Sequence, residues 1–279
     1  MYKIGLTSGN GVIRDPDATF RTFKAGGIEA VEVSVAYEFN DIMDFKEVER
    51  QANKHGVKLW SFHLPFMPFK ERDISKGDVA DETVKYLTTL IEKAAGIGID
   101  KIVIHPSGEP IALEDRPERM KVAKESLFKL VGIAGRNGAV IAVEDLPRTC
   151  LGNCSDEMEE LISVDPSLRV CFDSNHLLGE DPVHFIKKMG NKIITTHISD
   201  YDFINERHWL PGEGKNDWQA IYKALKEVGY DGLWLYELGF GDTKNITRER
   251  NLTCEDFVRN ANEIFEGREL TVIPSQKNV

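Results

Sequence analysis

Four short apolar runs in this chain end at a carboxylate or an imidazole. Ala139-Val140-Ile141-Ala142-Val143 runs into Glu144, and Arg169-Val170-Cys171-Phe172 into Asp173, with His176 three residues on. Ile193-Ile194-Thr195-Thr196 runs into His197, and Leu233-Trp234-Leu235-Tyr236 into Glu237. Runs this short and this rich in β-branched and aromatic side chains read as strands buried on both faces. The polar residue at each tip marks where strand gives way to loop. If these strands are parallel neighbours, two glutamates, an aspartate and a histidine meet on one rim, a donor set suited to a hard divalent cation.

The same alternation of strand and helix runs through the whole chain. Strands are expected over 4–7, 30–35, 57–62 and 101–104, before the four already named, with His63 and His105 at the tips of the third and fourth. Helices are expected over 17–25, 42–55, 79–95, 116–137, 156–163, 182–189, 218–228 and 254–265. Gly26-Gly27 and Gly56 supply helix stops. Eight strand-then-helix units predict a single α/β domain over 1–279, a (β/α)8 TIM barrel whose active site lies at the C-terminal ends of the strands. An open doubly wound sheet would scatter the rim residues along an edge, whereas closure gathers them in one mouth. The tail over 270–279 is expected to be loosely ordered or to serve an oligomer contact.

Three connections, after His63, His197 and Glu237, exceed ordinary strand–helix loops, a mark of functional segments. Phe66, Phe69, Trp209 and Phe240 lie in them, either closing over a ligand or packing the loops to the rim. Five of the seven histidines, His63, His105, His176, His197 and His208, fall at or just past strand ends. A lone strand-end histidine is more often a structural group than a ligand, but several converging with acids reverse that preference. Glu144 and Glu237 would otherwise be buried carboxylates, yet neither strand supplies a basic partner. Asp173 has the bland alternative of ending its strand. Glu32, inside the second strand, would face the interior beside His63, as an orienting partner or a buried ion pair. Cys150 and Cys154 are one ligand pair short of a closed zinc site.

A formal net charge of -11 opposes nucleic acid as a partner, because such affinity is built on phosphate neutralisation, and favours a small ligand. The four cysteines show no paired framework, Met1-Tyr2-Lys3-Ile4-Gly5 enters a strand directly, and no apolar run approaches the ~20 residues of a membrane span. A soluble, cytoplasmic protein is therefore expected.

Val143-Glu144-Asp145-Leu146, Phe172-Asp173-Ser174-Asn175-His176, His197-Ile198-Ser199-Asp200 and Tyr236-Glu237, in that order on successive strands, resemble the xylose isomerase-like TIM-barrel superfamily. That group holds sugar isomerases and epimerases, hydroxypyruvate isomerase, inosose and dehydroshikimate dehydratases, and endonuclease IV. The resemblance implies that Glu144, Asp173, His197 and Glu237 hold one divalent ion, Mn, Mg, Co or Zn, and that His176 contacts the substrate. It further implies a sugar or sugar phosphate isomerase or epimerase acting through a metal-stabilised enediolate, with Glu144 and Glu237 as the acid–base pair, and a possible homo-oligomer. His63, His105, Arg207, His208 and Trp209 are expected to line the substrate site with His176.

Two positions depart from the ketose epimerases of the group: Cys150 stands where they carry a further Glu, and Phe203 where they carry an Arg. The stretch His208-Trp209-Leu210-Pro211-Gly212-Glu213-Gly214 is similar instead to a His-x-x-Pro-Gly-Glu-Gly loop of other sugar isomerase-like members. A three-zinc phosphodiesterase like endonuclease IV is the rival reading. Positions matching its further ligands are filled by His63, His105, His176 and His208, with Glu206 in place of an Asp. A dehydratase would begin from the same proton abstraction, and a barrel that only binds should have lost a ligand that is here retained.

Overall fold

The protein is described by a computed structural model covering residues 1–68, 71–243 and 245–278; Phe69 lies outside the described residues. Eight parallel strands form the barrel: β1 (Lys3–Thr7), β2 (Ala30–Val33), β3 (Lys58–His63), β4 (Lys101–Ile104), β5 (Val140–Glu144), β6 (Arg169–Asp173), β7 (Ile193–His197) and β8 (Leu233–Tyr236). They pair in sequence order from β1 to β7, and β1 also pairs with β8. The last seam, between β7 and β8, is closed just beyond the strand ends. Ile198 N donates to Leu235 O at 2.8 Å, and Glu237 N donates to Ile198 O at 3.1 Å. Thr196 Oγ1 adds a bond to Leu233 O at 3.0 Å. This seam therefore fixes His197 and Glu237 relative to each other.

Helices α1 (Gly11–Arg14), α2 (Pro16–Ala25), α3 (Phe45–His55), α4 (Ala80–Ala95), α5 (Arg116–Arg136), α6 (Ser155–Ile162), α7 (Pro182–Met189), α8 (Trp218–Glu227) and α9 (Cys254–Glu266) cover the outside of the barrel. Four of them start on an aspartate. Asp15, Asp44, Asp181 and Asp217 accept the N–H three residues on at 2.9, 3.0, 2.8 and 3.0 Å, satisfying a donor that the first turn leaves free. The cap on Asp44 is why α3 begins at Phe45 rather than at 42. Gly56 ends it with φ 65°, the left-handed conformation that suits glycine. None of the helices among the described residues is long and apolar enough to cross a membrane.

Side chains alternate along each strand, and that alternation builds the site. Ala30, Leu233 and Leu235 form one small cluster with Trp60, and Val103, Ala142 and Cys171 another with Ile194. Both are separate from the large core under the helices, and Trp60 Nε1 reaches Thr195 Oγ1 on β7 at 3.1 Å. These clusters plug the interior. Two residues further along the same strands come Glu32, Glu237, His105, Glu144 and Asp173, at the next interior level. The register slips by one residue at Trp60 on β3 and at Ile194 on β7. Each slip lets one extra side chain plug the interior and still aims His63 and His197 inward.

Within the C-terminal tail, β10 (Ser275–Lys277) runs antiparallel to β9 (Ile246–Arg248). Arg248 anchors this ribbon to the loop after β7 through a fully buried, forked contact with Glu213 at 2.8 and 2.7 Å. Removing one partner of such a pair strands a buried charge. Glu213→Gln is therefore expected to lower the unfolding free energy by about 3–5 kcal/mol in urea titration. A loss under about 1 kcal/mol would show that the clamp is dispensable.

Candidate active site

His197 sits at the centre of the rim. Its Nε2 donates to Glu32 Oε1 at 2.9 Å, and Ser61 Oγ donates to the other Glu32 oxygen at 2.7 Å. Glu32 is thus bound on both oxygens, and its imidazole partner is His197 rather than the neighbouring His63. With Nε2 committed, Nδ1 faces three carboxylates: Glu144 Oε1 at 3.0 Å, Glu237 Oε2 at 3.2 Å and Asp173 Oδ2 at 3.8 Å. Asp173 Oδ2 and Glu237 Oε2 are buried and make no hydrogen bond among the described residues. Buried carboxylate oxygens are nearly always satisfied, so two orphans aimed at one point beside an imidazole nitrogen are what a cation site looks like. Donor atoms of His63, Glu144, His197 and Glu237, and separately those of Glu144, Asp173 and His176, lie within 4.8 Å of one another, so this buried acid–imidazole cluster offers the donors a divalent ion takes.

The electrostatics agree with this geometry. Burial, reinforced by the charges of Glu237 and Glu144, pushes the Asp173 carboxyl well above its ordinary range. Burial also opposes ionisation of Glu144 and Glu237, but His197 outweighs it and holds both below the usual range; His105 adds to this at Glu144. His197 itself is held protonated well above its normal pKa: burial works against the charge, and the surrounding acids overcome it. One imidazolium thus faces more anions than it can neutralise; a cation bound at Nδ1 would displace its proton and supply the larger charge.

Two further groups flank this centre. His63 Nε2 and His105 Nε2 lie 3.0 and 3.2 Å from Glu144 Oε2. His63 Nδ1 donates to Leu64 O at 2.9 Å; burial disfavours the charge on this ring, but Glu144 prevails and raises its pKa to about 9. On the other flank His176 Nδ1 donates to Asp145 O at 2.8 Å, and His208 Nδ1 to Glu237 O at 3.1 Å. His176 Nε2 lies 3.5 Å from Glu206 Oε2, and one donor atom each of His176, Glu206 and His208 lie within 4.8 Å of one another. Burial lowers the pKa of His176, favouring the neutral ring, whose Nε2 can ligate or accept a hydrogen bond.

Long-range hydrogen bonds hold the loops that carry these side chains. Asn175 Oδ1 accepts from the backbone N–H groups of Arg207 and His208 at 2.9 and 3.3 Å, which places His208 over the mouth. Asp200 accepts from Tyr201 N, Gly212 N, Gly214 N, Asn216 N and Trp218 Nε1, all within 3.1 Å. A Cβ at Gly214 would sit 2.3 Å from an Asp200 oxygen, so this glycine is what lets the loop close around the carboxylate. The Pro-Gly-Glu-Gly segment is therefore a structural hub, with Glu213 gripping Arg248 and the glycines gripping Asp200.

A cavity of about 310 Å³ opens above the centre, lined among others by Phe66, His105, Glu144, His176, His208 and Glu237. A second, of about 470 Å³, adjoins it over β1 to β3. Of the residues expected in the site, Glu144, Asp173, His197, Glu237, His63, His105, His176 and His208 come together. Arg207 instead forms an ion pair with Asp202 at 2.8 Å, and Trp209 is buried with Lys277 over its ring at 4.9 Å; neither is among the described residues lining these two cavities. Phe240 packs on Phe23 and Phe257, tying its loop to the rim. Cys150 is a wall residue with a free thiol, its pKa pushed up to about 12 by burial. Sequence reasoning missed Arg148, which clasps Glu109, Glu206 and Asn205 across the mouth from a left-handed backbone, φ 55°. It also passed over Asn175 as a support for His208.

Fold and rim together define a TIM-barrel protein with a candidate metal centre at its C-terminal mouth. The chain belongs to the xylose isomerase-like TIM-barrel family, whose profile matches residues 20–252. It is 28% identical over 180 residues to the uncharacterized protein MJ1311 of Methanocaldococcus jannaschii, a match covering 61% of each chain. It is 29% identical over 244 residues to an inosose dehydratase of Clostridium beijerinckii, covering 76% of this chain and 78% of that one. Among solved structures, a D-tagatose 3-epimerase-like protein superposes with a TM-score of 0.77 at 21% identity, over 95% of this chain and 97% of the other.

Partners that orient a ligating histidine typically contribute 10–100-fold to metal affinity. Glu32→Gln is expected to weaken Mn(II) or Co(II) binding by about tenfold or more in isothermal titration, with the fold intact by circular dichroism. Unchanged affinity would remove Glu32 from the centre.

Proposed function

We propose that the protein is a divalent-metal-dependent isomerase or epimerase of a small carbohydrate, working by proton abstraction beside a carbonyl. The observation that carries this reading is the pair Glu144 and Glu237. Both carboxylates line the same cavity, both are held in the ionised form, and both touch the same imidazole nitrogen. Glu144 Oε1, Asp173 Oδ2, His197 Nδ1 and Glu237 Oε2 would hold one ion of Mn, Mg, Co or Zn. Bound there, a divalent ion would polarise the substrate carbonyl and acidify the neighbouring C–H.

This chain's own residues then do the proton work. Glu144 ends β5 and Glu237 follows β8, three places further round the barrel, so the two approach a substrate from different sides. One carboxylate, ionised as in the free protein, removes the proton from the carbon beside the carbonyl, leaving an enediolate; the other, which takes up a proton from solvent as the substrate binds, delivers that proton, so the two carboxyls end the turnover with their protonation states exchanged. Delivery to the opposite face of the same carbon is epimerisation, and delivery to the adjacent carbon is isomerisation. His176 and His208, each anchored through Nδ1, keep Nε2 for substrate hydroxyls. Phe66, stacked on His105 at 4.1 Å, shields the cavity from water. The inosose dehydratase relative keeps dehydration within the same chemistry, since loss of a hydroxyl can follow the same first step.

The multinuclear phosphodiesterase is a second reading, and the grouping of His176, Glu206 and His208 favours it. The charge of the mouth weighs against it. Arg148 is the sole Lys or Arg among the described residues lining the two cavities, and it is already clasped by Glu109 and Glu206. Phosphate-rich substrates need free cations that this mouth does not present.

In D2O, Mn(II)-loaded protein is expected to wash deuterium into a keto sugar beside its carbonyl, followed by mass spectrometry. Glu144→Gln and Glu237→Gln are each expected to lower that rate by about 10²–10⁴-fold, while Cys150→Ser stays within about twofold. Retained exchange in either glutamine variant would sink the acid–base assignment.

A further inference from the structure

The acid–base chemistry uses only part of the barrel mouth. The cavity over β1 to β3, about 470 Å³, is larger than the one that holds Glu144, about 310 Å³, and the two share Phe66, Met67 and Glu237. Phe66 stacks on His105 and meets His63 edge-on at 5.8 Å, so it stands as a partition between the two spaces. Glu237 faces both. A molecule whose reacting carbon lies between Glu144 and Glu237 can therefore extend past the partition. Small-molecule sites run from about 300 to 1,000 Å³, so the first space alone serves a free sugar and the second is surplus to it.

The two spaces differ in chemistry. The first carries Glu109, Glu144, Arg148 and Glu206. The second has no Lys, Arg or Asp among its described lining residues, and its only titratable groups apart from Tyr37 are His63 and Glu237, which belong to the centre. Around its remaining polar residues, Asn10 and Ser34, one side-chain oxygen and the Ser34 backbone are engaged within the protein. Asn10 Oδ1 accepts from Ala36 N at 2.9 Å, and the Ser8 hydroxyl donates to Ser34 O at 3.1 Å while accepting from Ser34 N at 3.0 Å. Val35, Ala36 and Leu64 give it an apolar wall, and the Tyr37 ring, 44% exposed, stands at its edge. A phosphate or carboxylate placed here would be desolvated with no cation among the described lining residues to offset it. An uncharged apolar or aromatic group would gain burial and a ring to stack on.

We propose that this second cavity is a subsite for an uncharged substituent on the reacting sugar, so that the substrate is a sugar conjugate such as an aryl or alkyl glycoside, neither free nor phosphorylated. The assignment rests on the acid–base reading for where the sugar sits. It is tested with two probes that share their reacting half, methyl and phenyl 3-keto-β-D-glucopyranoside, titrated calorimetrically into the Mn(II)-loaded protein. The phenyl glycoside is expected to bind at least about tenfold tighter than the methyl one. Ala36→Trp, which fills the subsite, is expected to erase that ratio, and Tyr37→Ala, at an exposed position, to reduce it by about threefold. Mn(II) affinity should be that of the wild type in both. Equal binding of the two glycosides, a ratio that survives Ala36→Trp, or a 6-phosphate of the methyl glycoside that binds as tightly as the phenyl one would overturn the proposal. Deuterium exchange is read on the same samples. A binding preference without exchange would leave the subsite standing and sink the acid–base reading, whereas exchange without preference would do the reverse.

Discussion

Burial of like charges around one imidazole is the constraint on which the rest of this structure depends. Glu32, Glu144, Asp173 and Glu237 converge on His197, all but Glu237 wholly out of solvent, and a single imidazolium cannot offset them. In water these groups would repel only weakly; in a dry rim each uncompensated charge costs several kcal/mol. A fold retains such an arrangement when a cation completes it. The division of labour follows: Glu32 is saturated by His197 and Ser61, while Asp173 and Glu237 each keep one buried oxygen with no hydrogen bond among the described residues.

The scaffold serves that arrangement at several levels. Period-two alternation lifts the acids one step above the apolar plug, and the slips at Trp60 and Ile194 re-aim β3 and β7 so that His63 and His197 join them. The β7–β8 seam sets His197 against Glu237. Asp200, the glycines around it and the Glu213–Arg248 clamp then hold the long loop that brings His208 and Glu206 over the mouth. Rigid support of this kind keeps a site within the small tolerances that proton transfer needs.

Much of this was legible in the sequence because both signals are periodic. Apolar runs that end in Glu144, Asp173, His197 and Glu237 reveal strands and rim at once, and eight helical repeats leave few architectures other than a barrel. What was not legible is what has no period. An extra residue in a strand, as at Trp60, leaves no compositional mark, so the partner of Glu32 could not be told from His63. Side chains on loops point where tertiary contacts send them, which is why Arg207 turns to Asp202 and Trp209 goes under Lys277. Ser275-Gln276-Lys277 has no apolar alternation, and its pairing with β9 comes from the neighbouring Arg248 anchor. Arg148 gives no sign of its left-handed backbone or of the three loops it ties.

The central claim is that the rim holds one divalent ion on Glu144, Asp173, His197 and Glu237. Metal content by inductively coupled plasma mass spectrometry, on tag-free protein purified without chelator, tests it most directly. About one equivalent of Mn, Mg, Co or Zn per chain is the expected result. Three equivalents of zinc would contradict the single-ion centre in favour of the phosphodiesterase. No metal, with none taken up on titration, would mean that these buried carboxylates are held by something other than a cation.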